Sequence, residues 1–429
     1  MIQIPINSRF YKVSMKSFVS LLDYTHLSLK LTLTLLLALP ITAQPPSVDA
    51  GCALSLERSR PFAVSASLGS IYLALMEPTS PLVFARGDKI HVVDPLDAAH
   101  AVQLSPKVGL PQRLVLTRER IIGLDGNGEF FAQARGIAES FQSDPSSGSL
   151  DALDALTTAK GDTWVVAARH RLGKSEILTG RILGEARPLT LHQLATRASD
   201  IVSVRLAQTA TGALAIAWIE RSPASEASPT YSLWLQWLSA DRQPSKLARR
   251  LDVFTGAESV ADLALAAAKD GIIIAWNPLY ASSPGTNVEL RVFYAEPGRD
   301  PVLWRRIGLR AAQESPSGSL NQVVSNQLQA AALQRDAILA WVEYPSVDKA
   351  VVRATLAASG DLITLLEAPH NEKRQELPGW LRLRAAAPSE AVVIWVGRKR
   401  INARDAAFFA FRQLQLRARC GNLTKHSSN

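Results

Sequence analysis

Three glutamates, Glu77, Glu220 and Glu343, each stand two residues beyond the bulky apolar residue that ends a short apolar run: Leu75, Trp218 and Trp341. If those runs are equivalent strands of a ring, the carboxylates share one height at the rim of its central channel. Carboxylates gathered there can supply acid and base groups to a glycosidic bond, or hold a cation or a sugar. Acidic residues are also common where strand ends meet water, so position alone does not make these three catalytic. His170 takes the same offset from Ala168 in another copy of the run.

Two other groups of ligand-type residues read as turns. Asp88, His91, Asp94, Asp97 and His100 are spaced three apart, which on a helix would gather them on one face as a metal site. The stretch Asp88 to Asp94 alternates like a strand instead, and on a strand His91 and Asp94 point to opposite faces. Asp125-Gly126-Asn127-Gly128-Glu129 has carboxylates and an amide at alternate positions, as in a calcium loop. Its Asn-Gly pair is also the preferred hairpin turn, and the remaining calcium ligands are missing. No metal or cofactor is expected. The chain has no Gly-x-Ser-x-Gly elbow, His-Glu-x-x-His, Cys-x-x-Cys or phosphate-binding glycine loop.

The two cysteines, Cys52 and Cys420, lie one near each end of the chain. In an oxidising compartment a single end-to-end disulfide is the economical reading. Such a compartment is indicated by Arg9, Lys12, Lys16 and Lys30 ahead of the apolar run Leu31 to Ala43, which reads as a secretory signal peptide over 1–43 cleaved after Ala43. The run is broken at Pro40 and falls short of the roughly 20 apolar residues that a membrane-spanning helix needs. An uncleaved anchor, a lipoprotein attached at Cys52 and a start at Met15 are the competing readings. The mature chain is expected in the periplasm or outside the cell, with no transmembrane segment.

The formal charge of +9 invites a nucleic-acid reading, but its location does not support one. Residues 44–397 are nearly neutral, and the mature excess lies in the last 32 residues, beginning with Arg398, Lys399, Arg400 and Arg404. This basic patch suits an acidic polysaccharide, a lipid headgroup or a nucleic acid, or keeps an edge strand from aggregating. No aromatic-interleaved nucleic-acid module is visible, so a nucleic-acid partner is not expected.

The elements that must position these residues come from a repeat. A short strand, a small or polar turn and a second, wholly apolar strand recur, most clearly ending at Trp218, Trp276, Trp341 and Trp395 and more faintly at Leu75, Leu124 and Ala168. The spacings of 49, 44, 50, 58, 65 and 54 residues are those of propeller blades. A strand that is apolar at every position is one covered on both faces. Outer strands alternate: Val288, Leu290, Val292 and Tyr294 fall on one side, Glu289 and Arg291 on the other. The repeat Trp residues read as core between blades. With 47% hydrophobic and 20% charged residues, disorder is excluded.

The fold expected is all-β: a single β-propeller, seven four-stranded blades with six as the alternative, over residues 52–420. A linker over 44–51 precedes it and a tail over 421–429 follows. The segments Ala53 to Glu57 and Gln413 to Arg417 would share one composite blade that closes the ring, stapled by Cys52 and Cys420. A two-domain all-β protein is the plainer alternative.

The order of strand, Asp-Gly-type turn, apolar strand ending in Trp and two outer strands resembles the repeats of sialidase-like and related bacterial exported β-propellers, over most of residues 60–420. The resemblance implies the architecture. The sialidase Asp-box is absent, since neither Ser359-Gly-Asp-Leu-Ile nor Ser143-Asp-Pro-Ser-Ser-Gly matches it, and Arg60-Pro61-Phe62 stands where an Arg-Ile-Pro would be needed. The sialidase active site is therefore not carried over. The function expected is a binding or scaffolding module for a protein or glycan ligand, acting as a monomer through loops near 221–231 and 313–326. The alternative is a propeller-class glycan-active hydrolase or lyase using Glu77, Glu220 and Glu343.

Overall fold

The computed structural model describes residues 52–61, 73–74, 82–86, 89–93, 101–109, 111–137, 142–144, 148–182, 191–222, 229–238, 247–255, 262–277, 288–309, 326–334, 336–346, 349–358, 360–369, 377–400 and 407–420. The chain divides into Met1–Pro46 and Ser47–Asn429, and all described residues belong to the second unit. The expected signal peptide, linker and tail lie outside the described residues.

These residues form seven four-stranded antiparallel sheets, the blades of a seven-bladed β-propeller. Blades one to six each use four consecutive strands, starting at Leu73–Ala74, Arg113–Leu116, Ala152–Thr157, Asp200–Gln208, Asp262–Ala267 and Asn326–Ala332. Blade seven takes Leu377–Ala387, Glu390–Arg400 and Ala407–Cys420, and receives the N-terminal strand Cys52–Pro61 as its outer edge. In that last ladder Cys52 stands opposite Cys420, and Leu56 opposite Leu416.

Among the described residues six apolar clusters lie between consecutive blades, and they explain why the second strands are apolar throughout. In blade five, Ile272, Ile274 and Trp276 face blade four, while Ile273 and Ala275 face blade six. Alternation thus persists, but both faces meet another sheet. The repeat tryptophans all face the preceding blade: Trp218 toward blade three, Trp276 toward four, Trp341 toward five and Trp395 toward six. The first three have no exposed surface and Trp395 is 8% exposed.

The same packing revises the half-exposed reading of Val288–Ala295, the third strand of blade five. Leu290, Val292 and Tyr294 face blade six, yet Phe293 is buried against blade four, so this strand too is covered on both sides. Blade one also differs from expectation. Leu73–Ala74 is its first strand, paired only with Leu82–Arg86, so the run ending at Leu75 is not a second strand.

Inner strands present an unpaired backbone edge, and side chains tie three of these edges together. Asp154 in blade three accepts from Leu206 N of blade four at 2.8 Å. Arg205 in blade four donates to Leu263 O of blade five at 3.1 Å, and Asp262 there accepts from Leu328 N of blade six. Buried backbone groups need such partners, since each left unpaired costs about 1–3 kcal/mol.

Candidate functional site

Glu220 and Glu343 lie in the later part of the second strands of blades four and six, Leu214–Arg221 and Ala337–Ser346, where strand alternation puts each on the same face as the tryptophan two residues earlier. That face is the inter-blade seam. Glu343 has no exposed surface; its Oε1 accepts from Trp341 Nε1 and its Oε2 from Arg353 Nε, both at 2.8 Å. Arg353 comes from the third strand, opposite Trp341 in register, and also donates to Thr364 Oγ1 at 2.9 Å.

Glu220 is 7% exposed and accepts from Trp218 Nε1 at 2.9 Å. Its cation crosses the seam: Arg197, on the outer strand of blade three, stands 3.0 Å from Glu220 and covers the rings of Trp218 and Trp234. Those two rings stack, 6.2 Å apart and within 6° of parallel. A guanidinium over an aromatic face adds about 1 kcal/mol at a partly desolvated site.

Blade five builds the same triad with its acid from elsewhere. Trp276 Nε1 donates at 2.9 Å to Asp252, on the outer strand of blade four, and Arg291, opposite Trp276 in register, donates to the same Oδ2 at 2.8 Å. Burial pulls the Arg291 pKa down, but Asp252 and Glu289 more than offset it and hold the pKa above its ordinary value.

The expected rim of carboxylates is therefore corrected. Glu220 and Glu343 face neighbouring sheets, where Glu343 neutralises the buried Arg353, Glu220 the half-buried Arg197, and each satisfies an indole N–H. The physical reason is the strand period, which turns the position two beyond a core tryptophan into the seam. Glu77 lies outside the described residues, and in sequence it follows the first strand of its blade. His170 is exposed, with Nδ1 3.5 Å from Asp200.

Of the cluster around Asp88, only His91 is described; it lies on Lys89–Val93, opposite Phe84 and Gln103. Asp125 closes a hairpin: its Oδ1 accepts from Asn127 N at 2.8 Å and Glu129 N at 2.9 Å, and Gly128 takes φ +79°. Among the described residues no group of three or more metal-type ligands converges, and no helix is long and apolar enough to cross a membrane.

Of the basic patch, Arg398, Lys399 and Arg400 end the second strand of blade seven, with backbones opposite Phe409, Phe408 and Ala407; Arg404 lies outside the described residues. Two later cations are neutralised: Arg417 by Glu390 and Arg419 by Glu57. The Glu57 carboxyl is held below its ordinary pKa by the Ser55 hydroxyl and Arg419, and Glu390 by Arg417.

Sequence reasoning missed Arg197, Arg291, Arg353 and Asp252. An arginine opposite a strand's tryptophan is visible only once the register is known, and Asp252 lies 24 residues from the tryptophan it serves.

No family model and no curated protein matches the chain. Solved structures similar to it include a polysaccharide lyase of a new family, an ulvan lyase bound to -[GlcA(1-4)Rha3S]-, with a TM-score of 0.45 and 9% identity over 82% of this chain and 95% of that one. BBS1N in complex with ARL6DN gives a TM-score of 0.44 and 9% identity, covering 84% and 96%. The Penicillium chrysogenum α-L-arabinanase complexed with arabinobiose gives 0.38 and 10%, covering 68% and 88%. Likenesses at this level say nothing about what this chain binds or turns over.

Proposed function

We propose that this chain is an exported β-propeller that works by binding a glycan or protein ligand, with a signal peptide over 1–43 and a mature start at Gln44. The observation that carries this reading is the engagement of Glu220 and Glu343 in buried Trp-acid-Arg triads. Those carboxylates support the ring, and each is engaged by an indole N–H and an arginine instead of standing open to a substrate. The directly opposed positions of Cys52 and Cys420 support a disulfide across the closing ladder, because opposed antiparallel residues have Cα atoms about 4.5–5.5 Å apart, within the range of such bonds.

The test takes the mature secreted protein, confirms its N-terminus by mass, and screens it against glycan and protein arrays alongside reducing-end and unsaturated-product assays on the same glycans. Ligand capture without turnover is the expected result, retained in Glu220→Gln. Turnover by the wild type that is lost in Glu220→Gln would reverse the reading in favour of a hydrolase or lyase.

A further inference from the structure

The triad found in blades four, five and six is incomplete in blade seven. Trp395 holds the position of Trp218, Trp276 and Trp341, is 8% exposed, and faces blade six. Arg412 stands directly opposite it on the third strand, as Arg291 does opposite Trp276 and Arg353 opposite Trp341. Directly opposed residues project to the same face with Cβ atoms about 4.5–5.5 Å apart, so both side chains leave the strand pair on one face.

The carboxylate is missing from both of its possible sources. In blades four and six the acid lies two residues past the tryptophan, as Glu220 and Glu343; in blade seven that position is Gly397. In blade five the acid is Asp252 on the preceding outer strand, opposite Leu233. The equivalent position before blade seven, opposite Val352, is Leu366, which packs against the apolar seam. Trp395 Nε1 is buried without an acceptor. Arg412 is exposed and, among the described residues, has no carboxylate partner.

We propose that Trp395 and Arg412 form a binding site for a ligand carboxylate, a uronate unit of an acidic polysaccharide, which completes the triad of blade seven from outside. The carboxylate takes the indole N–H on one oxygen and the guanidinium on the other, as Glu343 does inside the protein. This charge-assisted arrangement favours a planar carboxylate. A polymer with a carboxylate on successive units also suits the basic end of the same strand, where Lys399 stands an even number of residues beyond Trp395. The inference deepens the binding-module reading and rests on it.

The test titrates the mature protein with trigalacturonate, with the neutral trigalactose and with hexaglutamate, reading affinity calorimetrically and tryptophan fluorescence in parallel. Binding of trigalacturonate at least tenfold tighter than either comparator is expected, weakened at least tenfold in Arg412→Gln with an unchanged melting temperature. Gly397→Glu, which supplies the missing carboxylate from within, should abolish the binding and raise the melting temperature. Preference for hexaglutamate overturns the polysaccharide assignment in favour of an acidic peptide. Undiminished trigalacturonate binding in both variants overturns the site while leaving the binding-module reading intact, and capture of other ligands with no uronate binding does the same.

Discussion

At Glu343 the carboxylate accepts from Trp341 and Arg353 with no exposed surface, so removing its charge strands a guanidinium that is itself only 8% exposed. Breaking one side of a buried pair costs more than the pair contributes, because the remaining ion stays desolvated. Glu343→Gln should therefore lower the unfolding free energy by about 3 kcal/mol, measured by denaturant titration. Glu220→Gln should cost less, because Arg197 keeps 25% of its side chain in water and rests on two rings. Equal and negligible losses would show that these ion pairs contribute nothing. The spacing of tryptophan and glutamate was legible in the sequence. What the glutamate does there was not, because its arginine arrives through pairing with another strand, or from another blade.

The turn between the first two strands of blade six holds a different acid. Asp336 Oδ1 accepts from Ala337 N at 2.7 Å and Ala358 N at 3.2 Å, while Oδ2 is buried without a partner. Burial pushes its pKa from 3.8 up to about 6, against the lowering effect of those N–H groups. The folded protein then binds this proton more tightly than the unfolded chain does, so its contribution destabilises above pH 6 and vanishes below about pH 4. Across that window stability should rise with acidification by at most about 3 kcal/mol from this group. Asp336→Asn should flatten that part of the pH profile in denaturant melts at matched ionic strength; an unchanged slope would rule the group out. At this scale the second strands of blades two to seven announced themselves, since a covered strand is a continuous apolar run. Blade one did not, because its first and outer strands, Leu73–Ala74 and Val102–Gln103, have two residues each and show no period. The third strand of blade five was misread because half-exposure was assumed where a neighbouring sheet takes both faces.

For the whole molecule, closure depends on one ladder between the chain's two ends, with Cys52 opposite Cys420 and Arg419 bonded to Glu57 at 2.8 Å. A disulfide joining residues so far apart restricts the unfolded chain strongly and is worth about 2–5 kcal/mol. The oxidised protein should carry no free thiol by mass, and reduction, or Cys52→Ser with Cys420→Ser, should lower its denaturation midpoint accordingly. Two reactive thiols in the native protein would leave the seam to hydrogen bonds alone. Blade number and the composite seventh blade were readable from the spacing of the runs and the end-to-end cysteines. The incomplete triad of blade seven was not, because it is defined by comparison with three complete ones.

The composite blade also sets a timetable. Cys52–Pro61 leaves the ribosome before any other strand of the ring, yet its partner Ala407–Cys420 is made last. Six blades can form from neighbouring residues, whereas the seventh must wait until Ala407–Cys420 has been made and then close a loop that spans the ring. Contacts this distant in sequence slow folding, so the earliest strand spends the longest time as a bare edge, and a chain interrupted before residue 407 has no means of covering it.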